Sequence, residues 1–225
     1  MREQKNAKRT SDRPVIYIVD DDISIREALL DLFSSMQFEA EAFGSPNEFV
    51  AQADLTRAGC IVLDVRLPGV SGIEFQTQLE RAGNQLPIVF MTGHGDISMG
   101  VQAMKAGAVD FLTKPFREQD LLDAVSTAIS RDCVRRQELQ RHQEVMGRFE
   151  TLTQREREVL EDVVAGLMNK QIAFKLGISE ITVKLHRGNV MRKMEAKSIA
   201  DLVRMVEQAN ELLNRKSQPV IGRVA

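Results

Sequence analysis

No stretch of this 225-residue chain approaches 18 consecutive apolar residues, so no membrane-crossing helix is expected. The first 14 residues are polar and basic, without the apolar segment of a secretory signal, and a cytoplasmic location is therefore expected. Cysteine is scarce. Cys60 and Cys133 show neither metal-ligand nor disulfide spacing, which fits a reducing compartment; Cys60, set among apolar residues, is expected only to pack. The three histidines, His94, His142 and His186, are scattered and give no zinc motif. There is no internal repeat. No glycine-rich turn follows the first apolar run, which argues against a nucleotide-binding sheet.

What the chain does have is charge sorted by position. The net charge is -2. Residues 14–130 hold 7 Lys/Arg against 17 Asp/Glu, whereas residues 131–225 hold 18 against 13. An acidic half and a basic half point to different partners, a cation for the first and a polyanion for the second. The apolar fraction of 43% is ordinary for a chain that buries a core.

The acidic half alternates strand and helix signals. Apolar runs at Val15–Val19, Phe38–Phe43, Ile61–Val65, Ile88–Met91 and Val109–Leu112 read as strands. Helix starts follow them. Ser24-Ile-Arg-Glu27 has capping-box spacing, Ser45-Pro-Asn-Glu48 sets a proline at N1, and Ser71-Gly-Ile-Glu74 repeats the box. A fourth helix is expected from about Asp96 to Ala106, stopped by Gly107, and a fifth from Glu118. Five such units imply a parallel sheet with helices on both faces. Ligands of open parallel sheets bind beyond the carboxyl ends of the strands. Those ends carry Asp20-Asp21-Asp22, Asp64, Thr92 and Lys114-Pro115. Carboxylates from two strands make a hard-oxygen site suited to Mg²⁺, or to Mn²⁺. Lys114 and Thr92 suit the oxygens of a phosphoryl group, and an aspartate can accept one.

Residues 131–150 are charged, lack proline and contain the lone Gly147; they read as a helical extension and linker, too irregular for a coiled coil. Beyond them the pattern is all helical. Thr153-Gln-Arg-Glu156 is a capping box opening a helix to about Ala165. Asn169 is expected to cap a second helix through Leu176, Gly177 to make a turn, and Ser179 to cap a third helix to about Glu195. This is a helix-turn-helix pattern. A fourth helix from about Ser198 carries Ile199, Leu202, Val203 and Val206 on one side. On the third, Val183, His186, Val190 and Met194 share an inward face. Lys184, Leu185, Gly188 and Arg192 lie opposite and suit the major groove. Lys170, Thr182, Arg187 and Lys193 are placed for phosphates.

Two family resemblances rest on these segments. Ile18-Val-Asp-Asp-Asp22, Leu63-Asp-Val-Arg-Leu-Pro-Gly-Val-Ser-Gly72, Met91-Thr-Gly-His-Gly-Asp96 and Lys105-Ala-Gly-Ala-Val-Asp-Phe-Leu-Thr-Lys-Pro-Phe116 resemble two-component receiver domains of the FixJ type. Leu152-Thr-Gln-Arg-Glu-Arg-Glu-Val-Leu160, Gly166-Leu-Met-Asn-Lys170 and Thr182-Val-Lys-Leu-His186 with Lys193-Met194 resemble the LuxR/FixJ-type DNA-binding domain. The first resemblance implies a flavodoxin-like doubly wound sheet of order 2-1-3-4-5, with Asp64 as phosphoacceptor. Asp20, Asp21, Asp64 and the Arg66 carbonyl become metal ligands, with Thr92 and Phe111 as switch residues and Lys114 as the phosphate-binding lysine. It also implies a cis Lys114–Pro115 bond, and it makes His94 a loop residue beside the pocket. The second implies base contacts by Lys184 and Leu185. Gly188 stands where some members place a contacting lysine, and the fourth helix would serve dimerisation.

Together they imply a basic, disordered extension at 1–13, a receiver at 14–130, a linker at 131–150, a helix-turn-helix domain at 151–212 and a disordered tail at 213–225. The expected function is a response regulator phosphorylated by a sensor histidine kinase, dimerising when phosphorylated and binding double-stranded promoter DNA, with activation as the outcome. RNA polymerase is a further candidate partner. The chain would be no enzyme beyond its own phosphoryl transfer and dephosphorylation. Masking of the basic domain by the unphosphorylated receiver is the alternative to dimerisation. Three rival classes fit less well. An aspartate-nucleophile hydrolase wants an acid two residues after the nucleophile, where Arg66 stands. A ligand-sensing LuxR regulator needs an apolar pocket in its first half. An RNA-binding antiterminator would lack the capped helix-turn-helix.

Overall fold

The computed structural model describes residues 13–93 and 97–217. The extension through residue 12, the segment 94–96 with His94, and the tail from residue 218 lie outside the described residues. Five strands form one parallel sheet: β1 (Val15–Val19), β2 (Glu39–Phe43), β3 (Gly59–Asp64), β4 (Ile88–Thr92) and β5 (Asp110–Thr113), in the order β2-β1-β3-β4-β5. Strands β1, β3 and β4 are buried throughout, which is why they read as unbroken apolar runs. Alternate side chains feed two cores. Val15, Tyr17, Val19, Ile61, Leu63 and Phe90 pack with Phe49, Phe75 and Leu79 on one face. Ile16, Ile18, Val62, Val89 and Met91 pack with Leu29, Phe33, Leu121 and Val125 on the other, where Cys60 also packs. Only glycine fits at position 59, where β3 pairs with Val15 of β1: a Cβ there would stand 2.0 Å from the Val15 carbonyl oxygen.

The helices that alternate with and follow these strands are α1 (Ile23–Ser35), α2 (Pro46–Gln52), α3 (Gly72–Arg81), α4 (Ile97–Lys105) and α5 (Glu118–Glu150). Ser45 caps α2, and Ser71 with Glu74 forms a complete capping box on α3. The start of α1 differs from expectation. Asp22, not Ser24, is its N-cap, because the Asp22 carboxylate accepts the Ser24 N–H at 2.8 Å. Ser24 therefore lies inside the first turn. Helix α5 is one continuous element of 33 residues.

The chain divides into two compact units, one through Arg136 and one from Gln137. The first unit thus reaches six residues past the expected boundary at 130, for an electrostatic reason. Asp132 is fully buried. Its carboxylate accepts the Gly59 N–H at 3.0 Å and pairs with Arg135 and Arg136. Arg136 in turn donates to the carbonyls of Thr56 and Arg57, each at 2.6 Å.

The second unit contains α6 (Gln154–Val164), α7 (Asn169–Leu176), α8 (Glu180–Lys193) and α9 (Ile199–Ser217). Its core joins Val159, Leu160, Val163, Ile172, Val183, Val190, Met194 and Leu202, with Val206 against it. Ile199 stays exposed at the start of α9. Thr153 and Glu156 form the expected capping box, and Ser179 caps α8. Gly177 turns the chain between α7 and α8 with φ 66, a left-handed conformation that glycine adopts without strain. Two expectations are corrected. Met168 is the N-cap of α7, its N–H donating to Gln171 Oε1 at 2.8 Å, and Asn169 is the first helical residue. Helix α9 runs to Ser217, so residues 213–217 are helical, not a disordered tail.

Asp132→Ala should cost about 3–5 kcal/mol, the usual consequence of removing one partner from a buried charge cluster. Denaturant unfolding of the full chain measures this; a loss below about 1 kcal/mol would show the cluster to be passive.

Candidate functional site

The carboxyl edge of the sheet brings together residues far apart in sequence. Asp20 ends β1 and is buried; its Oδ1 accepts the Asp22 N–H at 2.9 Å and its carbonyl accepts Arg26 Nη1 at 2.7 Å. Asp64 ends β3, the neighbouring strand, and its Oδ2 accepts the Arg66 N–H at 2.7 Å. From the far edge, Lys114 Nζ donates to Asp20 Oδ2 at 2.6 Å and to Asp64 Oδ1 at 2.9 Å. The Lys114 N–H also donates to the Thr92 carbonyl at 2.7 Å, and the Lys114–Pro115 bond is cis, as the resemblance implied. Thr92 is wholly buried at the end of β4. Phe111, on β5, leans against Phe90 with ring centroids 6.5 Å apart. Its ring also reaches α4, where a Cβ on Gly100 would stand 3.3 Å from it.

The electrostatics of this cluster are unbalanced. Burial pushes the Asp64 carboxyl above its ordinary range, outweighing the hydrogen bond from Lys114, and the Asp20 charge adds to the rise. Burial works against the Lys114 ammonium, but hydrogen bonds to both carboxylates outweigh it and raise its pKa. One ammonium therefore serves two carboxylates, with Asp21 exposed beside them. Among the described residues, no three His, Cys, Asp or Glu side chains already stand at metal-ligating spacing. Chemically the oxygen donors fit a hard divalent cation, which would relieve the excess negative charge.

In the second unit, Lys184, Leu185, Gly188 and Arg192 are exposed on α8, opposite buried Val183, Val190 and Met194. Lys170 is exposed on the first turn of α7. Thr182 is half-buried beside the Ser179 hydroxyl, 2.8 Å away, and Arg187 Nη1 donates to Asn169 Oδ1 at 2.9 Å. Among the described residues, no helix is long and apolar enough to cross a membrane.

Comparison with known proteins matches residues 16–126 to the response regulator receiver domain and residues 150–206 to the luxR family of bacterial regulatory proteins. Nodulation protein W of Bradyrhizobium diazoefficiens is 49% identical over 217 residues, covering 96% of each chain. The transcriptional regulatory protein FixJ of Azorhizobium caulinodans is 43% identical over 190 residues, 84% of this chain and 90% of FixJ. The chain is a two-component response regulator. Its receiver domain is joined to a LuxR-type DNA-binding domain, as the motifs implied. The solved structure of response regulator StyR is 48% identical, with a TM-score of 0.82 over 87% of this chain and 99% of that one.

One residue of the response regulator is not where the sequence suggested. Lys193 was expected at phosphates, but its Nζ donates to buried Glu156 at 2.6 Å and to the Thr151 carbonyl at 2.9 Å. The ammonium is committed to the domain's own core, where leaving Glu156 unpaired would be costly. Two further features escaped sequence reasoning: the capping role of Asp22 and the exposed Ile181 on α8.

The Lys193 ammonium, helped by the Thr153 N–H and hydroxyl, holds the Glu156 carboxyl at about 2, below its ordinary value. A carboxylate whose pKa falls on folding adds stability above its unfolded pKa and loses it as pH falls through the folded one. The stability difference between parent and Lys193→Met should therefore be full at neutral pH and shrink from about pH 5 toward pH 2. Paired denaturant titrations across that range measure it; a difference independent of pH would contradict the assignment.

Proposed function

We propose that Asp64 accepts a phosphoryl group from a sensor histidine kinase, and that the phosphorylated protein binds promoter DNA through α8 to activate transcription. The observation that carries this reading is the Lys114 ammonium bridging Asp20 and Asp64 at the sheet's switch point. An Asp64 oxygen attacks phosphorus, the N–P bond of the phosphohistidine breaks, and an acyl phosphate forms while the histidine nitrogen takes the electron pair. Burial raises the Asp64 pKa, which makes its carboxylate a more basic and hence better nucleophile once ionised. Lys114 then exchanges a carboxylate for a phosphoryl oxygen, and the Thr92 hydroxyl meets another. Asp20, Asp21, Asp64 and the Arg66 carbonyl would hold Mg²⁺ or Mn²⁺, which supplies charge neutralisation during transfer. Asp21 would have to turn inward to take part.

Movement of Thr92 toward the phosphoryl group opens space into which Phe111 turns. Because the Phe111 ring abuts α4 at Gly100, that turn alters the α4 surface. Val101 and Met104 are exposed apolar residues on the same helix, a surface suited to pairing two receivers. Pairing places two recognition helices on two half-sites and converts two weak contacts into one strong one. Lys184 and Leu185 read bases, while Lys170, Thr182, Arg187 and Arg192 face the backbone or groove wall. The surroundings in which kinase, DNA and RNA polymerase meet place the protein in the cytoplasm.

Treatment with a small phosphodonor and Mg²⁺ should raise DNA affinity in the parent and not in Asp64→Asn, read by fluorescence anisotropy on a selected duplex. If Asp64→Asn gains affinity equally, the proposal fails. Deleting residues 1–130 should not release tight DNA binding, as it would if the receiver only masked α8.

A further inference from the structure

The outward stripe of α8 is longer than the residues already assigned to it. At 100° per residue, Ile181, Leu185, Gly188 and Arg192 lie within about 60° of one another, and Val183, Val190 and Met194 lie about 170° away. Ile181 is 80% exposed and Leu185 is 63% exposed, one helical turn apart on the first half of the helix. Both are branched apolar residues that contribute nothing to the domain core, and water contact with them is unfavourable. The β-branch holds the Ile181 side chain to few rotamers, so it presents a stiff apolar surface. Beyond Leu185 the stripe has a notch, because a Cβ at Gly188 would meet nothing within 4 Å.

Charge identifies what covers this stripe. Helix α8 carries four Lys or Arg against a single Glu, and exposed Lys184 and Arg192 flank the apolar pair. A polyanion with apolar groups along a groove satisfies both features, and the major groove of DNA offers the C5-methyl of thymine. Resting on the reading of α8 as the recognition helix, we infer that Ile181 is a specificity-determining residue that packs on a thymine methyl. Leu185 meets a second methyl. The two side chains are about 6 Å apart along the helix axis. Base pairs rise about 3.4 Å, so the two methyls fall one to two base steps apart. The half-site is thus read by methyl groups at its Ile181 end and by Lys184 hydrogen bonds beside them.

Deoxyuridine removes only the methyl of thymine and keeps its hydrogen-bonding edge. Full-length protein, treated with phosphodonor, is measured on a selected duplex in which each thymine of a half-site is replaced in turn. Two of the replacements should each weaken the parent about fourfold, the effect of taking one methyl out of apolar contact. Ile181→Ala should erase the penalty at one of these positions, and Leu185→Ala at the other. Unchanged thermal melting of Ile181→Ala shows that the exposed residue is not structural. If no position loses its penalty in Ile181→Ala, or if that variant weakens every duplex equally, the inference is overturned. Lys184→Ala separates the two levels. Altered base preference in Lys184→Ala with none in Ile181→Ala defeats only the methyl contact. Unaltered preference in both defeats the placement of α8 in the groove.

Discussion

The rest of the receiver is arranged around one ammonium between two carboxylates. Lys114 reaches Asp20 and Asp64 only because β1 and β3 are neighbours and β5 lies at the sheet's edge, a juxtaposition created by the strand order. The unbroken burial of β1, β3 and β4 fixes where each strand stops, and hence where each carboxylate emerges. Burial also leaves the cluster short of positive charge, so that Asp64 is strained as an anion. A hard divalent cation is the partner that answers this imbalance. The site is therefore a device whose ground state is electrostatically incomplete.

The DNA-binding domain solves the opposite problem. It must show positive charge outward while holding four helices together. Its core is aliphatic, and buried Glu156 is neutralised by Lys193 on the inner edge of α8. One face of α8 is thus spent on stability, by Val183, Val190, Met194 and Lys193, and the other, with Lys184, Leu185 and Arg192, is left exposed. At the far end of the receiver, Asp132 ties the first turns beyond residue 130 to the edge of β3. The two ends of the receiver use the same device, a buried carboxylate with basic partners, for different purposes.

Much of this was legible in the sequence because it depended on local pattern. The five strands, the Ser71 and Thr153 capping boxes and the strand-end aspartates all follow from periodicity and short-range spacing. The fold class followed with them. What escaped depended on long-range pairing or on competition between adjacent residues. Asp22 and Ser24 are both good N-caps, and the Asp22 carboxylate, which accepts the Ser24 N–H, takes the role. Lys193 looked like any exposed base of a recognition helix until folding set it beside Glu156, 37 positions away. Asp132 appeared as one charge among many in a polar linker, since the Gly59 N–H that it accepts lies 73 positions away. Ile181 lies opposite the core by helical angle, and its exposure shows that it takes no part in that core.

The account stands on Asp64 as the residue that takes the phosphoryl group. Protein treated with a small phosphodonor and Mg²⁺, digested and sequenced by tandem mass spectrometry, locates the acyl phosphate directly. The structure predicts a single modified residue, Asp64, with nothing on Asp20 or Asp21. A phosphoryl group on either of those residues, or an equal yield in Asp64→Asn, would contradict it.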